Sequence, residues 1–202
     1  MIFRLRFFCS IYVLIMLLLC SCGQKITSRK EFIFYLHDKQ NGLFKEAKRG
    51  SILTSAGYIP YELIAKEKPV FDKSDPVNRK PDRDHVSKIC FIVSFSKAGK
   101  ELLDQLDMSV YTDIFQTLSF RMTPLVSLRA NDGRKLFPLD CFFQQTYGFS
   151  SSNELLVIFD STEIADLRDY HLSIDEFGLG TGELSYRFLK NDIDKLNNRL
   201  NM

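Results

Sequence analysis

The sequence predicts a mainly β fold of the α+β kind: an antiparallel β-sandwich, immunoglobulin-like or similar, with a short internal helix and a C-terminal helix. Three observations predict it. Ile89-Cys90-Phe91-Ile92-Val93-Ser94-Phe95 and Leu155 to Phe159 are short runs of β-branched and aromatic residues, the composition of strands with buried faces. Tyr170, Leu172 and Ile174 alternate with His171, Ser173 and Asp175, and Leu184, Tyr186 and Phe188 alternate with Ser185 and Arg187, so each of these strands has one apolar face. Asn131-Asp132-Gly133 stands between Leu125-Val126-Ser127-Leu128 and Lys135-Leu136-Phe137, a hairpin signal because such a turn needs positive φ. Seven or so short strands between turn signals read as a sandwich.

The remaining elements follow in chain order. Residues 23–31, GQKITSRKE, are polar and unpatterned and read as part of a flexible tether over 22–31. Phe32 to Leu36 is a short apolar patch, and Asn41-Gly42 a turn. Ile52-Leu53 and Gly57 to Ile64 are strand-like pieces; Pro60 cannot donate to a ladder, which predicts an edge strand or a bend. Residues 66–88 carry seven basic and five acidic residues, three prolines and only Val70, Phe71, Val77 and Val86 as apolar material. They read as a long polar surface loop. Leu102, Leu103 and Leu106 predict a short helix over Lys97–Leu106. Val110 to Met122 fits a helix through Tyr111, Ile114, Phe115 and Leu118, and fits alternation through Ile114, Leu118, Phe120 and Met122; the expectation is strand for its second half. Ile193, Leu196 and Leu200 predict a terminal helix over Asn191–Leu200.

The N-terminus has another character. Arg4 and Arg6 precede an apolar run from Phe7 to Cys20, and the run ends in Leu19-Cys20-Ser21-Cys22-Gly23. Fourteen helical residues cover about 21 Å, whereas a bilayer core is about 30 Å thick. The segment is short for a span and has the length and flanks of a secretory signal. Its ending resembles the signal of bacterial lipoproteins, in which an aliphatic residue, a variable one and a small one precede the cysteine that is lipidated. The small residue is Ser21, because Leu19 before Cys20 is bulky. The resemblance implies residues 1–21 as signal peptide, cleavage between Ser21 and Cys22, and two or three acyl chains on Cys22. One chain holds a protein only marginally and two hold it stably. The expected organisation is then signal 1–21, lipidated tether 22–31 and a single globular domain over 32–202.

Composition changes once the signal is set aside. The full chain of 202 residues has a formal charge of +2. Residues 22–202 hold 25 basic and 25 acidic side chains, a neutral balance that argues against a nucleic-acid partner and against docking through a polybasic patch. Fifteen of the eighteen Phe lie in this part, and the chain has no Trp. Cys90 and Cys141 each neighbour a Phe; they read as two buried free thiols, with a disulfide between them as the alternative. No CxxC or Cys/His spacing suggests a metal.

The search for chemistry finds little. Gly178-Leu179-Gly180-Thr181-Gly182 is glycine-rich, but it lies between two alternating strands and not before a helix, so it reads as a hairpin loop and not a phosphate cradle. His37, His85 and His171 read as ordinary surface residues. Gly148-Phe149-Ser150-Ser151-Ser152 lacks the second glycine of a nucleophile elbow. Asp166, Asp169, Asp175 and Glu176 stand at strand ends without calcium-loop spacing. No catalytic residues and no cofactor are expected.

Two further stretches carry a resemblance. They are Asn41-Gly42-Leu43-Phe44-Lys45 with Gly57-Tyr58-Ile59-Pro60-Tyr61-Glu62-Leu63-Ile64, and Phe177-Gly178-Leu179-Gly180 with Tyr186-Arg187-Phe188 and Asn191-Asp192-Ile193. Together with the N-terminal signal they resemble a group of uncharacterised envelope lipoproteins of Bacteroidota-type bacteria. The resemblance implies an envelope protein held by its lipid to a membrane, the outer membrane of a Gram-negative cell, to which Gly23 in place of Asp is suited. The expected function is non-catalytic: a binding or assembly module with an envelope protein as partner, meeting it through strand edges or the 66–88 loop. The alternatives are a surface hydrolase acting on glycan or peptide, and a carrier with a closed apolar cavity.

Overall fold

The computed structural model describes residues 25–66, 88–130, 133–162 and 167–200. The signal, Ser21, Cys22, residues 67–87 of the polar loop, Asn131, Asp132, His85 and Asp166 lie outside the described residues.

Helix α1 (Arg29–His37) opens the described chain. Ser28 and Glu31 form a reciprocal cap, with Glu31 N–H donating to Ser28 Oγ at 3.2 Å and Ser28 N–H to Glu31 Oε2 at 3.3 Å, which satisfies two donors that the helix start leaves open. Phe32 and Leu36 are buried. A 3₁₀ turn, Lys39–Asn41, ends at Gly42, whose φ of 69° is the left-handed value that glycine takes without a Cβ penalty. Of the described residues expected to belong to a tether, Ile26 instead packs on the core, with its N–H bonded to Arg199 O at 3.2 Å, and Arg29 onward is helix.

Strands β1 (Phe44–Arg49) and β2 (Ile52–Pro60) form a hairpin through Gly50-Ser51. β2 then pairs along its whole length with β3 (Lys88–Lys97). Pro60 corrects an expectation. β2 is one continuous strand between two neighbours, neither an edge strand nor two pieces with a bend, and Pro60 closes it where β1 has already ended at the Phe44–Gly57 pair. No ladder bond is lost there. Helix α2 (Tyr61–Lys66) follows at once.

The short helix expected over Lys97–Leu106 is a hairpin instead. Ala98 (φ 52°) and Gly99 (φ 72°) turn the chain into β4 (Lys100–Glu101), and a single 3₁₀ turn covers Leu103–Gln105. The internal helix lies just after it: α3 (Met108–Gln116) continues in a π-helical turn over Thr117–Arg121. The strand expected in the second half of 110–122 is thus helical. Ile114, Leu118 and Met122 are spaced by four and all buried, whereas Phe120, which alternation placed inside, is 81% exposed.

Strands β5 (Val126–Arg129) and β6 (Lys135–Leu136) form the expected hairpin. Next come β7 (Asp140–Gln144), β8 (Asn153–Asp160), β9 (Asp169–Ile174), β10 (Leu184–Leu189) and helix α4 (Lys190–Leu200). All pairings are antiparallel. One sheet has the order β1-β2-β3-β8-β7 with β4 beside β3; the other is β10-β9-β5-β6. The larger sheet keeps three consecutive strands side by side, where immunoglobulin order splits them between sheets.

The two sheets pack face to face. Ala56, Tyr58, Phe91, Val93, Phe95, Leu155, Val157 and Phe159 line the inner face of the larger sheet; Val126, Leu128, Leu172, Ile174, Leu184, Tyr186 and Phe188 line the other. Phe91 meets Phe188 at 4.9 Å between ring centroids, and Phe95 meets Phe177 at 5.7 Å. Tyr186 Oη lies 2.5 Å from Thr54 Oγ1, so these two buried hydroxyls satisfy each other across the sandwich. Helix α4 closes one end with Ile193 and Leu196, and Tyr58 Oη donates to its Asn197 at 3.1 Å.

Candidate interaction surface

Cys90 and Cys141 are free. The register explains why the alternative disulfide fails. Cys90 pairs with Ile158, whose partner on β7 is Asp140; Cys141 shares its row with Val157 and Phe91. The two thiols therefore stand on opposite faces of the sheet, with β8 between their strands. Two strand spacings are about 9.6 Å, beyond the roughly 7 Å over which a disulfide can close. Burial pushes the Cys90 thiol up to about 12 and the Cys141 thiol up to about 11, so neither is a ready nucleophile.

The glycine-rich loop does join β9 to β10, across the Ile174–Leu184 pair. Its amides converge, but on the chain's own carboxylate. Gly178 N–H and Gly180 N–H each donate to Glu176 Oε1 at 2.9 Å, Gly182 N–H donates to Oε2, and Thr181 Oγ1 adds a bond at 3.2 Å. Burial opposes the charge of Glu176, yet these amides hold its carboxyl below the usual range. Asp175 and Asp169 are likewise engaged, with Arg129 at 3.6 Å and with Arg187. His37 packs against the Phe44 ring, and His171 lies on the outer face of the smaller sheet beside Arg129 and Arg187. Among the described residues, no three His, Cys, Asp or Glu side chains are grouped to hold a metal ion.

A different group stands out around Glu101. Its side chain is 1% exposed. Thr146 Oγ1 donates to Oε1 at 2.5 Å, Ser150 N–H to Oε1 at 2.9 Å, and Asn153 Nδ2 to Oε2 at 3.0 Å. Asn153 in turn accepts from Leu103 N–H at 2.8 Å, and Gln105 bonds back to Lys97 O at 2.6 Å. Burial disfavours the carboxylate, but the donors from Thr146, Ser150, Gly148 and Asn153 outweigh it and keep the carboxyl below its usual range. A buried charge with every partner in place is a rigid fixture. What it fixes is the β7–β8 loop.

That loop presents two aromatic rings to solvent. Tyr147 is 73% exposed and Phe149 is 96% exposed. Tyr147 has φ of 51° and Gly148 has 79°; a non-glycine residue held there stores strain of about 1–3 kcal/mol. Phe149 N–H closes the turn on Thr146 O at 3.0 Å. The strand before the loop continues the theme. β7 ends the order of the larger sheet, its Phe142 is exposed, and Phe137 and Leu139 just before it are exposed too. Beneath it, Phe143 packs on Phe115 of α3 at 6.2 Å. Five of the twelve exposed large apolar residues among those described fall between positions 137 and 149. Scattered singly they would need no explanation; here they concentrate on one edge strand, the segment before it and the loop after it.

Sequence reasoning named strand edges and the 66–88 loop as contact surfaces and did not single out Glu101 or the loop it braces. The available signals were an acid directly before Leu102-Leu103 and the run of turn-formers in Tyr147-Gly148-Phe149-Ser150-Ser151-Ser152.

Fold and surface together define an antiparallel α+β sandwich with an aromatic edge. Comparison with protein-family models, with curated proteins and with solved structures finds no match in any of the three.

Proposed function

We propose that this protein is a lipid-anchored component of a bacterial cell envelope, tethered to the outer membrane through Cys22, which binds an envelope protein through β7 and the β7–β8 loop. The observation that carries the binding role is the braced loop. A fully buried carboxylate and a strained tyrosine backbone hold two aromatic rings in water, and rigid, exposed aromatics are the residues that anchor protein interfaces. Among the described residues no strand pairs with the far side of β7, and that edge offers main-chain hydrogen bonds for strand addition. Tethering raises the effective concentration at a membrane-bound target. Among the described residues, no helix is long and apolar enough to cross a membrane.

The test separates binding from folding. A photo-crosslinking phenylalanine analogue at position 149, installed in cells, is expected to yield one discrete adduct with an envelope protein. Tyr147→Gly removes the ring and relieves the left-handed strain; it is expected to raise stability by about 1 kcal/mol while abolishing that adduct. An adduct unaffected by Tyr147→Gly, or adducts equally frequent from the exposed Leu53 on β2, would count against the surface.

A further inference from the structure

We infer that helix α1 lies against the lipid bilayer, with Phe34 and Ile33 entering the headgroup region and the neighbouring cations facing anionic lipid. This rests on the reading of Cys22 as the lipidated residue and deepens it, because it says which face of the domain meets the membrane.

The first argument is reach. Ile26 is already fastened to the domain through Arg199 O. Three residues lie between it and Cys22, so the two are four extended steps apart, at most about 14 Å. A domain held that closely cannot hang clear of the surface; the part nearest Ile26 must touch it. That part is α1, whose cap begins at Thr27 and Ser28, and whose Tyr35 packs under Arg199 at 4.9 Å. From Ser28 to Phe34 is about 9 Å along a helix.

The second argument is the chemistry of the face. Phe34 is two positions from both Phe32 and Leu36, which puts it on the side of the helix opposite the two buried residues. It is 68% exposed, and Ile33 beside it is also exposed. No packing requirement of the described fold places a phenylalanine there. Lys25 is exposed near the start of α1, and Lys30 is exposed four residues before Phe34, on the same side of the helix. Residues 25–39 hold four cations against two acids, and one of these acids, Glu31, is occupied by the backbone of Thr27 and Ser28. The neutral balance of residues 22–202 conceals this local excess. Exposed apolar side chains flanked by lysine on a short helix are what a bilayer interface accepts. The β7–β8 loop lies at the opposite edge of the five-strand row, four strand spacings or about 19 Å from β1. One edge is thus left for the membrane and the other for a partner.

The absence of Trp gives a clean probe. Phe34→Trp in the full lipidated protein, reconstituted in vesicles of zwitterionic and anionic phospholipid, introduces the single indole of the chain. Its emission is expected to shift to the blue on reconstitution and to be quenched by acyl chains brominated near the headgroup. A companion variant, Phe149→Trp, is expected to keep the emission of a water-exposed indole and no such quenching. Both sites are exposed, so neither substitution threatens the core. Flotation of the vesicles is scored in the same samples. Protein that floats while the indole at position 34 stays in water overturns the placement of α1 and leaves the anchor standing; protein that does not float overturns both.

Discussion

Phe91→Ala is expected to destabilise the domain by about 3–5 kcal/mol, the upper end of what truncating one side chain costs. Phe91 is fully buried on β3. Its ring meets Tyr58 at 6.1 Å, Phe159 at 6.2 Å and Phe188 at 4.9 Å, so it touches strands of both sheets and is the ring through which they interdigitate. Truncation removes its transfer free energy and leaves a cavity that rigid strands cannot collapse into. Against a typical total of about 5–15 kcal/mol, such a loss leaves a marginal protein. Urea unfolding followed by circular dichroism reads it directly. Phe149→Ala, with its ring in water, is expected to stay within about 0.5 kcal/mol of wild type. Equal losses at the two positions would contradict the assignment of core and surface.

Glu101→Gln is expected to cost about 2–3 kcal/mol near pH 7, since charge-assisted bonds are lost and an amide NH₂ replaces an acceptor among buried donors. The pH dependence has a definite sign. The folded-state carboxyl of Glu101 lies below its unfolded value, so its contribution is fully present above the ordinary glutamate range and is lost as pH falls through the folded-state value. The difference between wild type and Glu101→Gln should therefore be constant from pH 7 down to about pH 5 and shrink below the ordinary value near 4.3. Glu176, depressed by its own cradle of amides, adds to the acid sensitivity of both proteins and cancels in the difference. Unfolding midpoints of both proteins across that range test this. A gap that widens on acidification would mean that Glu101 is buried as the neutral acid. The β7–β8 loop should also loosen in the variant, seen as faster hydrogen exchange at Ser150 N–H, whose acceptor is the Glu101 carboxylate.

The strands were legible wherever a single strand carried its own burial pattern. β9 and β10 showed apolar alternation in sequence, which β10 keeps throughout and β9 keeps as far as Leu172, beyond which Ser173 is buried as well; β8 showed instead as the apolar run Leu155 to Phe159. α4 was legible for the matching reason, with Ile193 and Leu196 on one helical face. Three misreadings have separate physical origins. Pro60 suggested an edge because a proline lacks its N–H, but a strand can end beyond its neighbour and need no bond there. Leu102, Leu103 and Leu106 suggested a helix, while the turn that overrides it depends on Ala98 at positive φ, a conformation that no propensity assigns to alanine. Over 110–122, spacings of two and of four coincide at Ile114, Leu118 and Met122; only the exposure of Phe120 tells the periods apart, and exposure is a tertiary fact.

The candidate surface was less legible than the fold. Glu101 reads as one more surface acid until β4, the 3₁₀ turn and the β7–β8 loop meet around it, with its bonding partners 45 to 52 residues away along the chain. The glycine loop shows the converse. Its amides do form a cradle for a negative charge, and local pattern cannot reveal that the occupant is Glu176 of the same chain. An internal ligand and an external one leave the same trace in the sequence.

The claim on which function and orientation both depend is the modification of Cys22. Mass spectrometry of the protein extracted from the membrane fraction of its native host tests it most directly. The account predicts an N-terminal peptide that begins at Cys22 and carries the mass of two or three acyl chains on a glyceryl thioether, with residues 1–21 gone. A chain recovered from the cell interior with Met1 still at its start, or one whose Cys22 carries no lipid, would contradict it.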